Sequence, residues 1–308
     1  METVPAPASP GREPTTAIEP GSVRGESGYW LRNAALECFV SAHHRIRVLV
    51  LRRVGGQNLL NSSGGVTDGL RTWLMTPHEE EHERDAVASL AGSIEPHGGG
   101  LRVRTPAAPA LGLALEWVVS LHPREPTLTV DHLIRNEGNE TRRVAIWPVI
   151  GVAAPARLVL PFRQVGSRAR DTRVLYHYPW STLRDDRISA GTDHVQLELS
   201  DRAGDAHIKF GVFQATGSGG ALIGDSVLVS TTPLEPGRTY PEGGPNLTVY
   251  ASPVVDGTAF GELENVGAVH HLRTGESTQL RQVLTIEEAA DSPFLRSVGY
   301  PGTGLLGR

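Results

Sequence analysis

All but one of the 29 basic residues in this 308-residue chain are arginines, and the exception is Lys209 in the segment AHIKFGVF. In an extended strand Ile208, Phe210 and Val212 share one face, so Lys209 projects with His207 and Phe213 from the other. Two readings of Lys209 are open. One is an ion pair with Glu198, which a hairpin joining HVQLELS to AHIKFGVF across DRAGD would bring opposite; arginine would serve it equally well, and such pairs contribute only about 0.2–1 kcal/mol. The other is proton transfer, because a lysine ammonium, unlike a guanidinium, gives up its proton when desolvated.

The segment TAFGELENVG carries two carboxylates, Glu262 and Glu264, on one face of a strand and about 7 Å apart. Like charges at that spacing raise one pKa, as a general acid or base requires, although a solvated polar face would show the same pattern. In GLRTWLMTPHEE, Arg71, Trp73 and Glu79 stand close together. An indole offers a face for stacking and a guanidinium a fork of donors, a pairing suited to a polar ring, while Trp73 is equally acceptable as core. In YHYPWSTLRDDRI, His177 and three aromatics including Trp180 precede Asp185 and Arg187, an aromatic density above the chain's 6% that favours a binding loop.

Other chemistries fare worse. The pairs His43-His44 and His270-His271 are sequence neighbours, which on a strand face opposite sides, so no metal site is expected. No nucleophile elbow, metalloprotease helix, dinucleotide fingerprint or phosphate-binding loop is present, and no cofactor is expected. A net charge of −5 without a basic run gives no footprint for nucleic acid.

These residues need elements to hold them. From Tyr29 to about Glu288 the chain reads as short alternating segments separated by Gly, Pro, Asn and Asp, the pattern of antiparallel strands. The expected fold is all-β, a single sandwich over residues 29–290. Residues 79–92 admit either a short helix or a solvated loop. Residues 1–28, rich in Pro, Gly, Ser and Glu, read as a disordered tail without the apolar stretch of roughly 7 to 15 residues that export requires. Residues 291–308 read as a loosely held C-terminal tail. No apolar window of about 18 residues is present, so no membrane partner is expected. The one cysteine, Cys38, fits a reducing cytoplasm and reads as a small core hydrophobe.

Eight segments in order, RIRVLVLRRVGGQNLL, GLRTWLMTPHEE, LTVDHLIRNEGNETRRVAIWPVI, LPFRQV, YPWSTLRDDR, IKFG, YPEGGPNLTVY and FGELENVGAVHHLRTGES, resemble a bacterial family of unknown function. That family belongs to the galactose mutarotase-like class of antiparallel β-supersandwiches. The family's G-x-R-x-W-x-x-P-E pattern corresponds to Gly69, Arg71, Trp73 and Pro77 to Glu79, with His78 inserted before the acid. Its K-x-G matches Lys209-Phe210-Gly211, and its W-P-Y followed by D-x-R is similar to Tyr178-Pro179-Trp180 and Asp185-Asp186-Arg187 with the aromatics exchanged.

The resemblance implies a concave sugar-facing sheet, with Glu264 where true mutarotases carry their catalytic base. Those enzymes carry Asn-His where Trp147-Pro148-Val149 stands here, so the resemblance leaves the acid to Lys209 or His177. The expectation is an epimerase-like isomerase acting on a carbohydrate or sugar-like ligand. Lys209, Glu264 and His177 would be its catalytic groups, and Arg71, Trp73, Glu79, Trp180, Asp185, Arg187 and Glu262 would hold the ligand. The alternatives are a non-catalytic carbohydrate-binding module, and a lyase or tailoring enzyme acting on a cyclic natural product.

Overall fold

A computed structural model describes residues 16–64, 67–76, 85–162, 175–200, 206–214, 216–241, 244–253 and 260–300. Two antiparallel sheets account for nearly all the regular structure among these residues. The larger holds eleven strands. Its order is β1 (Ala17–Val23), β2 (Glu26–Arg32), β3 (Leu36–Ser41), β4 (Arg47–Arg53), β5 (Leu70–Met75), β10 (Arg142–Ala153), β19 (Phe260–Asn265), β18 (Leu247–Ala251), β15 (Ile208–Val212) and β12 (Leu175–His177), with β20 (His270–Leu272) also pairing β10. The smaller holds ten, in the order β13 (Ile188–Ala190), β14 (His194–Leu199), β11 (Ala156–Pro161), β16 (Ser218–Ile223), β17 (Ser226–Thr231), β21 (Ser277–Glu288), β9 (Thr127–Asn136), β8 (Leu113–Leu121), β7 (Gly100–Arg104) and β6 (Ser93–His97).

The two sheets share one apolar core, to which Leu70, Ile150, Phe210 and Leu263 contribute from the large sheet and Trp117, Val130, Leu158 and Leu284 from the small one. At β8, β9 and β21 the small sheet buries alternate residues, one side facing the core and the other water. At β11, β16 and β17 the outer side is covered as well, by the chain after β21. In the middle of the large sheet the alternation fails: β5, β10, β15 and β19 are buried on nearly every residue. Their second face is therefore covered as well, and that covered face holds the polar residues described below.

A polar chain crosses the core. Trp117 Nε1 donates to Thr72 Oγ1 at 2.8 Å, Thr72 Oγ1 meets His132 Nδ1 at 2.7 Å, and His132 Nε2 meets Gln282 Oε1 at 3.1 Å. Gln282 Nε2 continues to Ser230 Oγ at 2.9 Å, and Ser230 Oγ donates to Asn265 Oδ1 at 2.5 Å. Gln282 Oε1 can only accept, so His132 carries its proton on Nε2 and accepts from Thr72 through Nδ1. Every member is satisfied, the condition under which a buried polar network specifies one packing.

Several expectations need correction. Residues 17–28, assigned by composition to a disordered tail, form β1 and the start of β2, and every residue of β1 pairs across to β2. Of the expected C-terminal tail, residues 292–298 are anchored: Ser292 caps the short helix α1 (Pro293–Ser297), whose Phe294 and Leu295 pack with Val298 against Val159, Leu222 and Val227, while 301–308 lie outside the described residues. Of residues 79–92, 79–84 lie outside the described residues, and 85–89 form turns with a single Ser89 N to Asp85 O bond of 2.8 Å, not a helix. HVQLELS and AHIKFGVF are not a hairpin. They are β14 and β15, in different sheets, and Glu198 lies opposite Arg157. His43 and His44 follow β3 in a bend instead of lying on a strand, and their rings sit side by side with centroids 4.1 Å apart.

Burial depresses the pKa of His132 from 6.5 to about 4. Between those values the unfolded chain binds a proton that the native protein refuses, so this residue's contribution is complete above pH 6.5 and declines as the pH falls towards 4. The full loss is roughly 3 kcal/mol. Thermal melts between pH 7.5 and 4.5 should show the acid side of the stability profile flattened in His132→Gln relative to wild type. An unchanged slope would assign acid sensitivity to other groups.

Candidate functional site

The covered face of the large sheet is laid out by strand register. One row runs Arg71, Val149, Glu264, Thr248, Gly211 and Tyr176 across β5, β10, β19, β18, β15 and β12. The next runs Gly151, Glu262, Tyr250 and Lys209. Each cation bonds to the acid of the other row. Lys209 Nζ lies 3.0 Å from Glu264 Oε1 and 2.9 Å from Oε2, and Arg71 Nη2 pairs with Glu262 Oε1. All four residues are at least 95% buried.

Glu264 is the most enclosed of the four, with no exposed surface. Its Oε2 also accepts from Trp147 Nε1 at 2.9 Å and from Thr248 Oγ1 at 2.6 Å. A carboxylate offers about four lone-pair sites, and these four contacts, one on Oε1 and three crowding Oε2, match that capacity. The approach of Thr248 depends on Gly211. A Cβ at Gly211 would fall 2.6 Å from Thr248 Cγ2 and 2.7 Å from Pro245 Cβ, so the glycine of the Lys-Phe-Gly segment lets β18 and Pro245 close in beside Lys209.

Aromatic rings enclose the ammonium. Lys209 Nζ stands 4.5 Å from the Trp147 ring centroid and 5.3 Å from that of Tyr178. Above it opens a cavity of about 470 Å³, bounded by Trp147, Tyr176, His177, Tyr178, Trp180 and Lys209 with Met75, Pro179, Gly244 and Pro245. The loop after β12 forms its lip. Ser181 Oγ accepts from the Lys209 backbone N–H at 2.7 Å, and His177 Nε2 meets Ser181 O at 2.9 Å. Trp180 remains 58% exposed there. Its ring neighbours Tyr178 at 5.8 Å and Tyr250 at 6.4 Å.

The electrostatics follow from burial. Desolvation raises the Glu262 carboxyl above its ordinary range, opposed by Arg71. Desolvation, with Glu262 and Glu264 adding to it, pushes the Tyr250 phenol up to about 12. Tyr250 therefore stays a neutral hydroxyl, 2.7 Å from His207 Nδ1. Two buried donors, Arg71 Nε and Trp73 Nε1, have no acceptor among the described residues. Each such group costs about 1–3 kcal/mol unless something accepts from it. The Arg71 guanidinium lies 4.4 Å from the Trp73 ring centroid, and Trp73 meets Trp147 edge-on at 5.2 Å.

The structure thus brings together Lys209, Glu264, Glu262, Arg71 and Trp73 on one sheet face, with His177 and Trp180 at the lip. Asp185 and Arg187 instead pair with each other, Nε to Oδ1 and Nη2 to Oδ2 at 3.0 Å, and Arg187 Nη2 reaches Ala206 O at 3.1 Å. They brace the loop and do not border the cavity. Glu79 lies outside the described residues. Sequence reasoning did not single out Thr248 or Tyr250. The signal was present in NLTVY, where both sit on the same alternation as Glu262 and Glu264.

No family model and no curated protein matches the chain. Solved structures do. A galactose mutarotase-like protein from Lactobacillus casei ATCC 334 superposes with a TM-score of 0.58 over 88% of this chain and 100% of that one, at 8% identity. The chain has the galactose mutarotase-like fold. A candidate aldose 1-epimerase from Escherichia coli K12 superposes at 0.55 over 89% of this chain and 99% of that one, at 15% identity. A galactose mutarotase-like protein from Clostridium acetobutylicum gives 0.56 over 89% and 99%, at 10% identity. At these identities the likeness carries the supersandwich architecture expected from the sequence, and the chemistry rests on the residues themselves.

Removing one partner of a buried ion pair leaves the other charge uncompensated, at a cost of about 3–5 kcal/mol, whereas a neutral pair of similar volume is often tolerated. Lys209→Met should therefore lower stability by that amount in urea unfolding. The double variant Lys209→Met/Glu264→Gln should recover most of the loss. Equal destabilisation in single and double variants would show that the pair itself does not matter.

Proposed function

We propose that this protein is a carbohydrate-active isomerase of the epimerase type, taking a sugar or sugar-like ring into the cavity above Lys209. The observation that carries the reading is the Lys209 ammonium, held against the buried Glu264 carboxylate on the floor of an aromatic-walled cavity. Aromatic faces suit the apolar side of a pyranose, and the Lys209 ammonium on the cavity floor suits a ligand rich in oxygen acceptors. In ring opening the ring oxygen gains a proton and the anomeric hydroxyl loses one, and both sit on the same carbon. A single donor–acceptor unit can serve both positions. Lys209 gives its proton to the ring oxygen, the Lys209–Glu264 pair takes one from the anomeric hydroxyl, and the pair ends with the proton count it began with. His177, at the lip, is the second candidate for the acid. No helix among the described residues is long and apolar enough to cross a membrane. The reading carries with it a cytoplasmic location, in keeping with a single buried thiol, Cys38.

One observation favours a second reading, a non-catalytic carbohydrate-binding module. Glu264 accepts from Lys209, Trp147 and Thr248 and has no exposed surface, a geometry suited to holding Lys209 still as a fixed donor.

Ligand-observed NMR against anomerically enriched hexoses and uronic acids separates the two. The isomerase reading expects anomer exchange above the buffer blank, reduced about 100- to 10,000-fold in Lys209→Arg, which keeps the charge but does not give up its proton. Binding without exchange in wild type would select the module, and absence of binding across the panel would overturn both. In either reading Trp180→Ala should weaken binding about tenfold through the loss of ring stacking.

A further inference from the structure

A second cluster lies at the end of the β2–β3 ladder and takes no part in the cavity. β2 and β3 pair with Gly28 opposite Ser41. Continuing that register sets Glu26 beside the bend after β3, where His43 and His44 lie off the strand and so escape the alternation that would part them. One ligand atom from each of Glu26, His43 and His44 lies within 4.8 Å of the other two. The imidazole centroids are 4.1 Å apart, with planes inclined by 48°. Ser41 Oγ lies 3.1 Å from Glu26 Oε2 and 3.0 Å from Ser27 O, sharing its one proton between them, and accepts from His43 N at 3.3 Å. No described residue hydrogen-bonds to either imidazole ring.

We infer that Glu26, His43 and His44 form a binding site for a divalent transition-metal cation of the Zn²⁺ class. Two imidazoles and one carboxylate are the donor set of borderline cations, whereas Mg²⁺ and Ca²⁺ take oxygen ligands. Around tetrahedral Zn²⁺, with bonds of about 2.0–2.2 Å, adjacent ligand atoms lie roughly 3.4 Å apart. His43 and His44 are exposed and no described residue hydrogen-bonds to their rings, so side-chain rotation is free to tighten the spacing towards that value. Ser41 Oγ, 3.1 Å from Glu26 Oε2, offers its shared proton to the ligating carboxylate. Three protein donors leave the remaining coordination to water. Arg47 lies within electrostatic reach of Glu26 and offsets part of the carboxylate's charge. The bound ion would tie the start of β2 to the end of β3 and so hold the β1–β2 hairpin on the sheet edge.

Tag-free, chelator-treated full-length protein titrated with ZnCl2 by isothermal calorimetry tests this. The expected result is one equivalent bound with micromolar affinity, a melting temperature raised by a few degrees at about 100-fold excess over Kd, and no uptake of CaCl2. His43→Ala/His44→Ala should lose both the isotherm and the thermal shift. Glu26→Gln, whose amide oxygen still accepts from Ser41, should weaken binding at least about tenfold. His270→Ala, removing a histidine–carboxylate contact elsewhere, His270 with Glu235 at 3.2 Å, should change neither. Absence of binding in wild type, several weak equivalents, or binding that survives the double histidine variant would overturn the assignment.

Discussion

A carboxylate with no exposed surface is the constraint around which this structure is built. Taking Glu264 out of water costs several kcal/mol unless donors replace the lost hydration. Three side chains do so, Lys209 from β15, Thr248 from β18 and Trp147 from β10, each on a different strand. With β19, which carries Glu264, the four strands must hold register together, because a slip of one residue would send every donor to the opposite face and leave the charge alone. The ion pair is thus both the chemical centre of the cavity and a condition on the sheet that forms its floor.

The opposite face of the same strands is fastened as well. Thr72 lies between Arg71 and Trp73, and Asn265 follows Glu264, so the polar chain through His132 and Gln282 grips β5 and β19 from the core side. Residues one apart on a strand face opposite ways, which lets a single register serve two networks. The fully satisfied core network ties the floor to β9, β17 and β21 of the small sheet. Above the floor the character changes. The lip from His177 to Ser181 is held by His177 Nε2 against Ser181 O and by the Lys209 backbone N–H donating to Ser181 Oγ, and it presents an exposed indole.

The Arg71–Glu262 pair shows how the site divides its charges. Two cations and two carboxylates neutralise one another in crossed pairs, leaving the floor with no net charge and its spare hydrogen-bonding capacity in donors. Trp147 contributes both an aromatic wall and the indole donor that fixes Glu264. Of these four charged groups, Lys209 is the one that borders the cavity.

How much of this was legible in the chain differs by residue. Alternation in LTVDHLIRN and its counterparts announced strands, and the contrast of one lysine against arginines everywhere else marked Lys209, because periodicity and composition are properties of the chain itself. Composition misled at residues 17–28, where Pro and Gly hid a hairpin that tertiary pairing stabilises, and at 293–298, where an apolar triad docks on a distant sheet. The partner of Lys209 could not be read at all. Glu198, nearby in sequence, lies in the other sheet, and Glu264, 55 residues away, closes the pair across two intervening strand junctions. The sequence by itself determined the strand character, the facing of Glu262 with Glu264, and the exceptional residue. Only the tertiary structure decided which charges meet, because sheet order and register are long-range outcomes of burying one common core, and no local pattern records them.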